Sequence, residues 1–79
     1  MNNDRRKRIQ AIMDDLTAIM DRIEEIKDEE QQYADDMPDN LQDSQKHETA
    51  EETASLIGDA YDQAQEAHST LESAKDNGK

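Results

Sequence analysis

Apolar residues in the first third of the chain recur at Ile9, Ile12, Leu16, Ile19, Ile23 and Ile26, alternately three and four apart. That spacing lays one continuous stripe along an α-helix. With Ile9 at heptad position a, Leu16 and Ile23 share its row, Ile12, Ile19 and Ile26 form row d, and the register runs on through Glu30, Tyr33 and Met37. Met13 and Met20 fall at e, a third row that widens the stripe to that of a bundle helix with more than one neighbour. The second half repeats the pattern with smaller residues. Ala50, Ile57, Ala64 and Leu71 lie at d, Ala54, Tyr61 and His68 at a, and Thr53, Ala60, Ala67 and Ala74 make a flanking row of small residues.

These stripes predict a first helix over about 4–36, a turn over 37–43 and a second helix over about 44–75. Asn2 or Asn3 can cap the first helix. Pro38 biases Met37 out of the helical region and so ends it. Ser44 is the expected cap of the second helix, with Asp39 the alternative because Gln42 stands three residues on in capping-box spacing. Asn77 and Gly78 mark its end. Two helices of equal length around a short turn fold most simply as an antiparallel pair, each about 45 Å long at 1.5 Å per residue. A bend at 38–41 makes the numbers of facing residues add to about 80. Ile9, Ile12, Leu16, Ile19, Ile23, Ile26 and Tyr33 then interlock with Ala54, Ile57, Tyr61, Ala64 and Leu71. The row of Met13 and Met20 is left for a dimer interface. The expected fold is therefore all-α, an antiparallel two-helix coiled-coil hairpin forming one domain over residues 1–79 and dimerising into a four-helix bundle. Gly58 interrupts the second helix and is a candidate for close helix crossing.

Composition adds a need for help and a sign of charge. A chain of 79 residues buries little core, and the absence of cysteine removes disulfides and thiol chemistry, which leaves regular helix packing or self-association. With 21 acidic against 9 basic residues the net charge is -12, which disfavours nucleic acid or an anionic membrane as ligand and favours a basic protein. No apolar run is long enough to span a membrane or to form a signal segment, so the expected location is the cytoplasm. The cations are concentrated at Arg5, Arg6, Lys7 and Arg8, against the helix dipole, and Glu72 and Asp76 are expected to neutralise them.

The first helix carries Asp14, Asp15, Asp21, Glu24, Glu25, Asp28 and Glu29, followed by Asp35, Asp36 and Asp39. Like charges at i, i+4, such as Asp21 with Glu25 and Glu24 with Asp28, each cost a few tenths of a kcal/mol. A dense negative face is thus kept against local helix preference, and these ten residues are the candidate partner-binding set. Solvation alone is the competing explanation. Chemistry is not indicated: there is no Gly-rich phosphate loop, and a rod of two helices offers no catalytic pocket. Neither His47 nor His68 follows a Glu at the spacing of bundle di-iron sites, so no metal, cofactor or enzymatic activity is expected.

The segment formed by Tyr33, Met37, Pro38, Asp39, Asn40, Leu41, Gln42 and Ser44, set between two acidic heptad helices, resembles small acidic helical-hairpin proteins of bacteriophages and prophages. That resemblance implies an inhibitor of anti-restriction or anti-CRISPR type, acting in the host cytoplasm on a basic nucleic-acid-binding protein. Charge density is compatible with nucleic-acid mimicry. Residues 9–79 hold 20 acids and 5 bases. Along about 45 Å that is one net negative charge per roughly 3 Å, and a dimer approaches the one per ~1.7 Å of duplex DNA. The alternative is a structural or adaptor coiled coil whose acidic face only confers solubility and whose apolar stripe makes the contact.

Overall fold

The computed structural model describes residues 2–38, 40 and 44–77. Its two helices, α1 (Asn3–Asp35) and α2 (Gln45–Asp76), pack antiparallel as a hairpin with Cα extents of 60 × 15 × 11 Å. Asn2 caps α1 by accepting the Arg5 N–H on its side-chain oxygen at 2.8 Å. The chain leaves α1 through Asp36, whose N–H donates to the Gln32 carbonyl at 2.9 Å, and Met37, whose N–H donates to the Ala34 carbonyl at 3.3 Å. Ser44 starts α2, its hydroxyl oxygen accepting the His47 N–H at 3.2 Å. Asp39, Leu41, Gln42 and Gly78, named above for the turn, its alternative cap and the chain end, lie outside the described residues.

The hairpin is the expected one, but α1 is rolled about its axis. Its most buried side chains are Met13 and Met20, with Ala34 and, just past the helix, Met37; Ile9, Leu16 and Ile23 are half-buried beside them. The remaining isoleucines face outward: Ile12, Ile19 and Ile26 are 48%, 43% and 54% exposed, and Tyr33 is 46% exposed. Rows a and e therefore form the seam of α1, not rows a and d. In α2 the seam consists of His47, Ala50 and Ala54, which are buried, and Ile57, Tyr61, Ala64, His68 and Leu71, which are half-buried.

Two expectations are corrected by this roll. Ile12, Ile19, Ile26 and Tyr33 do not join the helix-pairing core, and Met13 and Met20 are the centre of it rather than a dimer interface. The register is displaced as well. Facing residues are marked by the Lys75 ammonium donating to Gln10, by Lys27 against Gly58 and by Ala34 clustered with Ala50. Their numbers add to about 85, a slip of about five residues, or roughly one and a half helical turns, from the symmetric pairing. Thioether side chains adapt to irregular gaps more readily than branched isoleucines, whose χ1 is stiff, and this suits Met13 and Met20 to the centre of the seam. Lys27, in the same row as the methionines, lays its stem along α2 while its charged end stays wet.

Gly58 is not a point of backbone crossing. A Cβ there would meet only the Lys27 Cδ, at 3.4 Å, an ordinary contact with a flexible side chain. Gly58→Ala should therefore gain helix propensity without a clash. We expect it to stabilise the hairpin by about 0.5–1 kcal/mol, read as a raised urea midpoint at unchanged slope.

Candidate protein-binding surfaces

Heptad rows project from the two broad sides of the hairpin, and their chemistry differs. Lys46 of α2 stands 5.9 Å from the centre of the Tyr33 ring, so row d of α1 and the row of Lys46, Thr53, Ala60, Ala67 and Ala74 share one side. Lys27 and Gly58 meet toward the other. The first side carries Arg5, Ile12, Ile19, Ile26 and Tyr33 from α1, then the row of Lys46, then Thr49, Leu56, Gln63 and Thr70. None of these three rows holds a carboxylate, although acids make up 21 of 79 residues. Leu56 is 60% exposed there, which places this off-seam residue on the same apolar side.

Carboxylates are gathered elsewhere. Asp14, Asp21, Asp28 and Asp35 recur every seven residues, pointing nearly opposite to the isoleucine row on the helical wheel, and all four are exposed. Of the other candidate partner-binding residues, Asp15, Glu24, Glu25, Glu29 and Asp36 are also exposed, while Asp39 lies outside the described residues. Asp15, Glu29 and Asp36 share a rim row with Arg8 and Arg22, where charges of both signs are interspersed beside the isoleucines. α2 adds Glu51, Asp59 and Asp62 around a shallow hollow of about 470 Å³ that also exposes Lys27, Ser55 and Tyr61.

Neighbouring amides hold several of these acids in place. Gln10 donates to Asp14 at 2.9 Å, Gln31 to Asp35 at 3.1 Å and Gln32 to Asp36 at 2.8 Å. Such i, i+4 bonds offset the repulsion between like charges on the same helix. No basic side chain occupies the last turn of α1, so Asp35 and Asp36 stand against the helix dipole.

In the basic N-terminus Arg8 pairs with Asp4 one turn earlier at 3.2 Å, both side chains largely solvated. Arg5 and Arg8 line a small apolar hollow with Ile9 and Ile12 at the open end of the carboxylate-free side. His47, buried in the seam near the turn, has Nε2 3.5 Å from Glu51. Among the described residues no cluster of three or more metal-ligating side chains occurs, and no helix is long and apolar enough to cross a membrane. Comparison with protein-family models, with curated proteins and with solved structures finds no match to this chain.

Proposed function

We propose that this protein is a non-enzymatic binding module whose acidic side occupies a basic groove of a nucleic-acid-binding protein, as a phage-type inhibitor of the anti-restriction or anti-CRISPR kind would. The observation that carries the reading is segregation: beyond Lys7 at its start, the row of Asp14, Asp21, Asp28 and Asp35 is unbroken by cations and turned away from the apolar side. Successive members stand about 10.5 Å apart at 1.5 Å per residue, a fixed ladder of charge on a stiff rod. Along 60 Å the net charge of residues 9–79 is one per about 4 Å, sparser than the sequence suggests and close to the ~3.4 Å spacing of phosphates along one DNA strand.

The test is retention of basic proteins from a bacterial lysate on the immobilised chain, eluted with rising salt. Partners held by this ladder should weaken about a hundredfold between ~50 and ~200 mM salt, as replacement of a polyanion does. Asp21→Lys with Asp28→Lys should abolish retention while leaving helicity intact, because both positions are exposed. Retention that survives the charge reversal removes the proposal. The adaptor reading is favoured by a separate observation, the outward isoleucine row, which has its own consequence.

A further inference from the structure

We infer that the carboxylate-free side is covered by a second copy of this chain, with the α1 of each protomer lying over the α2 of its partner and both turns at the same end. This goes beyond the proposed function and does not depend on it. The side is one broad face of the hairpin, roughly 900 Å² in projection from extents of 60 and 15 Å, against the ~800 Å² per partner of a standard interface. Its apolar stripe, from Ile12 to Tyr33, runs about 32 Å along the rod at 1.5 Å per residue. Among the described residues hairpin packing by itself encloses no large side chain fully, so the fold has apolar burial still to gain.

Shape selects the occupant and its orientation. Within one copy, facing residues of α1 and α2 have numbers adding to about 85. A two-fold axis parallel to the helices keeps that register across the interface, because it leaves each residue at its own height. Ile12, Ile19 and Ile26 then fall opposite the partner's Ala74, Ala67 and Ala60, and Tyr33 opposite the partner's Thr53. Large side chains meet small ones at every level, the arrangement that fills a bundle core without voids. The perpendicular axis would set isoleucines against isoleucines and alanines against alanines, leaving one side crowded and the other hollow.

Charge agrees. The only charged groups in the three facing rows are Arg5 and Lys46, both cations, in a chain of net charge -12. On the rim, Asp15 and Glu29 come opposite the partner's uncharged row of Thr49, Leu56, Gln63 and Thr70. The main acid ladders of both copies are left outside, on opposite sides of the bundle and separated by more than a Debye length of ~8 Å. The dimer therefore presents two polyanionic faces around an apolar centre.

Sedimentation equilibrium of the full chain should return twice the 9.0 kDa of one copy, with Asp21→Asn and Asp28→Asn leaving that mass unchanged. Ile19→Asp with Ile26→Asp should return the single-chain mass. A single-chain mass for the unaltered protein at millimolar concentration, with helicity intact, overturns the inference and leaves the face to a different protein. A dimer that survives both isoleucine substitutions overturns it too. Should that variant lose its helices, orientation is still read by cross-linking, since the chain has no cysteine of its own. An Ile19→Cys chain mixed with an Ala67→Cys chain should form the mixed disulfide in at least tenfold preference to either self-linked pair. Preferred self-linking of the Ile19→Cys chain rejects the arrangement.

Discussion

Aspartate in place of Met13 is expected to leave the chain unfolded at room temperature, while aspartate in place of Ile12, one residue earlier, is expected to leave it helical. Met13 is 4% exposed and Ile12 48% exposed, so the same charge is buried in one case and solvated in the other. Truncating a buried methionine costs about 2–5 kcal/mol, and an unpaired carboxylate in its place adds several more. A chain of this length has about 4–12 kcal/mol of stability in all. At Ile12 the hairpin loses only partial burial and some helix propensity, about 1 kcal/mol, together with whatever the second copy supplies. Far-ultraviolet circular dichroism of the two variants during urea titration measures the difference. The reverse order would return the Ile12 row to the seam. The Ile12→Asp chain should also lose any dependence of its midpoint on protein concentration, because that side chain lies in the proposed interface.

The contrast shows which level of the fold was legible in the residue pattern. Two helices, their antiparallel return and the alanine-rich seam of α2 follow from heptad spacing and from the turn around Pro38. What spacing does not decide is which two of three adjacent apolar rows face inward. Rows a, d and e of α1 are all apolar over Ile9 to Ile26, so burial of either flank satisfies the same periodicity. Branched isoleucine carries the stronger hydrophobic expectation and drew row d into the seam. The actual choice depends on the partner helix: in this register Ala64 lies level with Met20, and Ala50 clusters with Met37 and Ala34. That information lies some forty residues away and needs the register to be known first. The distribution of acids held a usable signal. Row d of α1 and the Lys46 and Thr49 rows of α2 contain no carboxylate, and desolvation would penalise an acid on a face that a second copy covers, as proposed above. The absence of acids picks out the same side of the rod as the outward isoleucines.

The two surfaces are expected to respond oppositely to salt. Binding through the aspartate ladder is weakened by screening, whereas association through the isoleucine face is strengthened, because salt reduces repulsion between two chains of charge -12 and leaves apolar burial untouched. If both proposals hold, the dimer persists under the salt conditions that release the basic partner.

Leucine in place of Ala34 should lower the melting temperature by about 10–20 °C, corresponding to a cost of about 2–3 kcal/mol in a chain of this length. Ala34 is 0% exposed and Ala50 3% exposed, and Met37 closes over them as one buried cluster beside the turn. Ala34 and Ala50 share one buried cluster where α1 meets α2, and three added heavy atoms cannot fit there without parting the helices or expelling Met37. Parting them at the turn end also shifts the register, since Lys27 against Gly58 and Lys75 against Gln10 are fixed by the same spacing further along the rod. Ala18→Leu is the matched control. Its side chain is exposed on the back of α1, away from both the seam and the isoleucine face, so the same added volume should change stability by no more than about 0.5 kcal/mol. Thermal melts of the two variants separate packing from propensity, because leucine is a good helix former at either position. If Ala34→Leu melts together with the unaltered chain, α1 and α2 are not in closest contact beside the turn, and the roll that turns the methionines inward and the isoleucines outward loses its anchor.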